Sequence, residues 1–161
     1  MIRGLSFRIS QKIDVPLFNI FTGINIEDYY WFCVPDQEEV WNEKGCMPFF
    51  EKTTYTGKEF SDLVKQECYV IFLKLQAYPS KTNYYNIRSY NEFEESGCQL
   101  LLLIYDCEFV EIYCKNENDS KTIYNNAIDK KFDDLQFITD SNDNRYSFNI
   151  LWTVNDKSIR I

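Results

Sequence analysis

The chain has 161 residues, carries 17 Lys and Arg against 25 Asp and Glu for a net charge of −8, and contains no histidine. Without imidazole there is no Ser-His-Asp triad, no Cys-His dyad and no histidine-containing zinc site, which removes most hydrolase mechanisms. The acidity is spread along the chain and no basic run exceeds Lys130 and Lys131, so nucleic acid is not an expected partner: displacing counterions from phosphates needs clustered cations.

An apolar content of 45%, with 13 Phe, 12 Tyr and 3 Trp, exceeds what a disordered chain carries, and one core is expected at this length. Residues 1–161 therefore read as a single globular domain. The longest apolar run, Leu100 to Tyr105, is far shorter than the roughly 20 residues a membrane helix needs. The first ten residues hold no continuous apolar stretch, so a cytoplasmic protein is expected. Cys33, Cys46, Cys68, Cys98, Cys107 and Cys114 sit mostly inside strand-like apolar runs and are expected to be reduced and buried.

In chain order, Leu5, Phe7 and Ile9 alternate with polar residues as in a half-buried strand. A short helix is predicted next, capped by Asp14, with Pro16 in its first turn and Gly23 at its end. The aromatic run 29–34 predicts a strand closed by Pro35. Thr56 and Glu59 form a Thr-x-x-Glu capping box for a helix over 57–67. Ile71, Leu73, Leu75 and Ala77 then alternate with Phe72, Lys74, Gln76 and Tyr78 in a strand that stops at Pro79. Ser89 and Glu92 predict a second capped helix ending at Gly97.

Residues 98–105 read as a central strand covered on both faces, followed through a turn at Asp106 and Cys107 by a strand over 109–114. A helix over 119–131 should bury Ile123, Tyr124, Ala127 and Ile128. With a strand at 135–139 this makes a βαβ unit, hence two parallel strands. Phe148, Ile150, Trp152 and Val154 alternate as a last strand. The expected fold is α+β: a single mixed, mostly antiparallel sheet of about six or seven strands, with three or four helices mainly on one face.

The motifs that bind cofactors are missing. There is no CxxC, and the glycines Gly4, Gly23, Gly45, Gly57 and Gly97 are isolated, so no loop gathers consecutive amides around a phosphate and no cofactor is expected. Asp140, Asn142 and Asn144 repeat the opening of a calcium loop, but Arg145 and Leu151 occupy the positions of its Gly and bidentate Glu, which favours a solvated turn. Glu111 sits between Phe109 and Tyr113 on one strand face, where an apolar setting would raise its pKa, but a surface strand residue beside aromatic cover is the favoured reading. The segments 35–55 and 79–88 are long for loops. They hold Trp41, Phe49, Phe50, Tyr84 and Tyr85, which are candidate interface anchors if they do not pack on the sheet edge; residues 38–41 could themselves be a short edge strand.

Several segments resemble a family of uncharacterised proteins from Bacillus and Clostridium relatives, domain-of-unknown-function family 2691. They are RGLSF at 3–7, YYW at 29–31, YVIFLKLQAYP at 69–79, SYNEF at 89–93, CQLLLLIYDC at 98–107, EIYCK at 111–115 and FITDSND at 137–143. The resemblance implies a cytoplasmic bacterial protein of full domain length and assigns no catalytic residue. The expectation from the sequence is a protein-binding module, of inhibitor or immunity type, with enzymatic activity disfavoured but left open. The alternative is a small-molecule-binding protein or carboxylate-based enzyme, which requires a concave site containing Glu111 or another buried acid.

Overall fold

The computed structural model describes residues 1–151. Its elements are β1 (Ile2–Arg8), α1 (Pro16–Ile20), a 3-10 turn at Ile26–Asp28, β2 (Tyr30–Cys33), β3 (Glu39–Asn42), β4 (Thr54–Tyr55) and α2 (Gly57–Leu63). They continue with β5 (Cys68–Tyr78), α3 (Tyr90–Glu95), β6 (Leu100–Tyr105), β7 (Phe109–Cys114), α4 (Glu117–Asp129) and β8 (Asp133–Thr139). The strands form an α+β sheet in the order β4-β2-β5-β6-β7-β1-β8, with β3 also on β5. Every strand pairing among the described residues is antiparallel.

Two strands come from the irregular stretch 35–55: β3, which matches the short edge strand read at 38–41, and β4, which lies beyond the expected set. The 11 residues of β5 are long enough to seat β2 along Leu75–Tyr78 and β3 along Cys68–Phe72 on the same edge. The expected parallel pair is absent for a topological reason. β1 lies between β7 and β8 and runs antiparallel to both, so β7 and β8 point the same way without touching. Phe148 and Ile150 are not in a strand; Phe148 is instead fully buried against the sheet, its N–H donating to Arg88 O at 2.9 Å. Trp152 and Val154 lie outside the described residues.

Local signals explain most of the helix ends. Thr56 accepts from Glu59 N, and the Glu59 carboxylate accepts from Thr56 N at 2.9 Å, completing the capping box of α2. Ser89 caps α3 by accepting from Glu92 N, but the Glu92 carboxylate reaches Arg88 N rather than its own cap residue. That helix ends where Ser96 turns extended and donates its hydroxyl to Phe93 O at 2.7 Å, so Gly97 supplies no left-handed turn. Asp14 is likewise no cap: α1 starts at Pro16 after Val15, and Asp14 O accepts from Cys68 N. Gly23, with φ of 95°, does redirect the chain after α1.

The sheet carries a core on each face. On the first, α1, α2 and α4 bring Leu17, Phe60 and Ile123 onto Leu5, Leu73 and Leu102. Trp31 and Phe60 stack there with centroids 4.4 Å apart, a contact worth about 0.5–1.5 kcal/mol beyond the area it buries. α4 is rotated relative to the expected stripe: Asn126 is buried and Ile128 is 53% exposed. The cause is polar, because the Asn126 amide donates to Asn19 O at 2.7 Å and satisfies a carbonyl at the end of α1. On the second face the cover is α3 together with the segments 79–89 and 140–151, through Phe93, Ile87 and Phe148.

All six cysteines are free, as expected, but only four are buried: Cys46 is exposed and Cys107 half-exposed. Cys107 and Asp106 both take positive φ, 69° and 50°, so the β6–β7 hairpin adopts its left-handed turn without glycine.

Candidate functional site

The register places residues of the second face in rows across the sheet. Lys74, Leu103, Glu111, Ser6 and Gln136 are successive cross-strand partners from β5 to β8. One step along the strands, Tyr105, Phe109 and Arg8 form a parallel row. On the other side, Gln76, Leu101, Tyr113, Gly4 and Ile138 form a third.

The covering segments close the third row and the Lys74 end of the first. Phe148 packs on Tyr113 with ring centroids 4.6 Å apart. Buried polar side chains fasten the cover. The Gln76 amide donates to Tyr85 O at 2.9 Å and its oxygen accepts from Ile87 N at 3.0 Å. Lys74, with no exposed surface, donates to Asn86 Oδ1 and Ile87 O. Burial draws the Lys74 ammonium down to about 7, with Glu92 partly opposing the shift. Asn86 passes the connection on to Asn149 at 2.9 Å. Gln37 accepts from Ile150 N and Leu151 N, holding the end of the described chain.

Where that cover stops, a cleft of about 720 Å³ opens between the sheet and residues 142–150. Its wall is built on the Glu111–Arg145 pair. Arg145 grips the carboxylate with both faces of its fork, Nη2 at 2.6 Å and Nε at 3.3 Å, while Nη1 donates to Ser147 O at 3.1 Å. The guanidinium also lies 5.2 Å from the Tyr105 ring centre, within cation–π range. Asp143 supports the turn from behind, accepting from Arg145 N at 3.1 Å, from Tyr113 OH at 3.2 Å and from Arg3 Nη1 at 3.1 Å. The aromatic floor is Tyr105 stacked on Phe109, centroids 5.4 Å apart and planes 17° from parallel.

The far rim is Arg8 with Asp134. Arg8 Nε stands 2.8 Å from the Asp134 carboxylate, close enough to pair as charges although poorly aligned as a hydrogen bond. A bulge with positive φ at Asp134 (54°) shifts the β1–β8 register here. Ser6, Gln136 and Asn144 also line the cleft, and among the described residues their side chains make no hydrogen bond. No helix among the described residues is long and apolar enough to cross a membrane.

A family model described as protein of unknown function (DUF2691) matches residues 2–149. The chain belongs to the DUF2691 family. The uncharacterized protein YncE of Bacillus subtilis (strain 168) is 35% identical over 161 residues, covering 93% of this chain and 100% of its own length. No solved structure matches. The span matched by the DUF2691 model contains both walls of the cleft, from Ser6 to Asn149.

The residues singled out in this DUF2691 chain from its sequence do not form one surface. Phe49 and Phe50 are 7% and 9% exposed and belong to the first-face core, so neither ring is available as an anchor for a partner. Trp41 is half-buried on β3, opposite Tyr69, and donates to Glu39 at 3.2 Å. Tyr84 packs on the opposite core, stacked on Phe32 at 5.4 Å, and Tyr85 beside it is 51% exposed. Glu111 does line a concave site, but its neighbours are Arg145 and an aromatic floor rather than apolar residues alone. In the suspected calcium loop the Asn142 amide bonds Thr139 N and Phe137 O, and Asp140 pairs with Arg3 at 2.9 Å, the bonding of a turn.

Arg145, Lys74 and Gln76 were not among those candidates. Lys74 and Gln76 stand in the polar half of an alternating strand, which ordinarily faces water. Their one distinguishing signal is an irregular aromatic segment downstream that has nowhere to go except over them.

Proposed function

We propose that this protein is a small-molecule-binding module whose ligand enters the cleft between β7, β1 and β8 and the segment 142–150. The observation that carries this reading is the concave site itself: about 720 Å³, within the range of ligand pockets, with convergent polar groups over an aromatic floor. The reading is supported further by preorganisation. Arg145 and Glu111 are locked to each other, and Asp143 and Ser147 lock Arg145, so the wall needs no ordering when a ligand arrives. No catalytic role is proposed for Glu111, because both its oxygens are committed to Arg145. A cytoplasmic setting is part of the proposal and is supported by six free thiols.

The test is a thermal-shift screen of neutral, anionic and cationic metabolites against the wild-type chain and its Gln136→Ala variant. A ligand at about 100 times its dissociation constant stabilises by about 2.7 kcal/mol, which is several degrees for a domain of this size. The expected result is at least one compound whose shift is lost in the variant; shifts that survive Gln136→Ala unchanged would move the site elsewhere.

A second reading, a protein-binding module of inhibitor or immunity type, is supported by exposed Tyr85 and the net charge of −8, which would favour a basic partner. Recovery of a partner that Tyr85→Ala and Trp41→Ala both abolish would favour it over the cleft.

A further inference from the structure

Most charged groups of the cleft are matched to one another, while Asp106, exposed at the rim, has no ion-pair partner among the described residues. Arg145 is held by Glu111, Arg8 lies between Asp134 and Glu108, and Asp143 is held by Arg3. A charged ligand drawn to Arg145, Glu111 or Asp143 would have to break one of the largely buried pairs, leaving a charge uncompensated, which costs more than the new pair returns; the exposed Arg8–Asp134 pair carries no such penalty. Between the walls, the Ser6 hydroxyl and the Gln136 and Asn144 amides are neutral groups that make no side-chain hydrogen bond among the described residues.

These three groups offer donors and acceptors together, since a hydroxyl supplies one of each kind and an amide supplies two donors and a carbonyl. Ser6 and Gln136 are cross-strand partners on one face, so their polar ends are neighbours, and Asn144 faces them from the covering segment. Beside them lies the Phe109 ring, stacked on Tyr105, whose own ring has the Arg145 guanidinium 5.2 Å from its centre. A ligand that satisfies all of this is uncharged, carries adjacent hydroxyls able to donate and accept at once, and has one face of C–H groups to lay on an aromatic ring. That is the chemistry of a sugar ring.

We infer that the cleft takes a neutral carbohydrate, its hydroxyls bonded to Ser6, Gln136 and Asn144 and its apolar face on Phe109. This rests on the cleft being the ligand site. The glutamate–arginine pair acts as a positioning element that fixes the wall.

The experiment is saturation-transfer difference NMR on the full chain with two matched sets. The neutral set is glucose, galactose, N-acetylglucosamine, maltose and cellobiose; the charged set is glucose 6-phosphate, glucuronate and glucosamine. The expected result is transfer to ring C–H protons of at least one neutral sugar, with affinity at least tenfold above its charged counterparts. Gln136→Ala and Phe109→Leu should each weaken it at least tenfold while the circular dichroism spectrum and Tm stay those of the wild type. Asn144→Ala, on an exposed position, serves as the variant least able to disturb folding. Binding of a charged set member in preference to the neutral one, with loss in Gln136→Ala, overturns the carbohydrate inference and leaves the cleft as the site. Transfer to no sugar, together with a thermal-shift screen in which no compound depends on Gln136, overturns both.

Discussion

Lys74 and Glu111 stand in one row across the sheet, separated only by Leu103, yet they face different chemistry. Lys74 is sealed under the segment 84–88 and gives its protons to Asn86 and Ile87. Glu111 stands at the edge of that cover and takes its counterion from Arg145. The boundary between a packed face and an open cleft falls between these two side chains, so the same polar network that closes one half of the face shapes the other.

Lys74 makes stability depend on pH in a defined direction. Its folded pKa is depressed to about 7 from an ordinary 10.5. Above pH 7 the unfolded chain therefore binds more protons at this site than the native one, and stability gained from Lys74 rises from about pH 7 toward 10.5. Lys74→Met removes the donor and leaves Asn86 Oδ1 and Ile87 O unpaired at every pH, so the variant is destabilised throughout. The urea-midpoint gap between wild type and variant should widen from pH 6.5 to 8.5, a range that stays below most thiol and phenol titration. A gap independent of pH would show that Lys74 is not buried as described.

Gln76 tests the fastening of the cover without a charge. Gln76→Leu keeps the volume but orphans Ile87 N–H and Tyr85 O. The expected loss is about 1–3 kcal/mol per unsatisfied group. Amide exchange at Ile87 should accelerate well before exchange in β6, which is bonded on both sides.

Gly4 sits where β1 approaches β7 most closely. A Cβ built there would lie 1.9 Å from Ile112 O. Gly4→Ala must push two central strands apart, so a loss of about 3 kcal/mol or failure to fold is expected. An unchanged urea midpoint would contradict the β1–β7 register.

The thiols divide into two classes. Burial pushes Cys68, Cys98 and Cys114 up to about 12 and raises Cys33 as well, and each is less than 9% exposed. Native alkylation at pH 8 should therefore add two labels, at Cys46 and Cys107, and six only after unfolding. Intact-mass measurement reads the count directly.

Much of the fold was legible because it depends on local rules. Thr56 with Glu59 marked α2, and the apolar run at 100–105 marked the strand that both cores cover. The cleft was not legible, since its walls come from 6–8, 105–111, 134–138 and 142–150, and no periodicity links them. Lys74 and Gln76 were misleading for a related reason. Alternation reports which side chains share a face, and only tertiary packing decides whether that face meets water. Arg145 was read as the residue that spoils a calcium loop, when its position is set by Glu111, 34 residues earlier in the chain.

The most direct test of the cleft as the binding site is a backbone-amide chemical-shift map of the labelled chain titrated with the sugar that binds best. The account predicts shifts confined to Ser6, Glu111, Gln136 and residues 144–147, on both walls at once. Shifts gathered at Trp41 and Tyr85 instead, with the cleft amides unmoved, would contradict it.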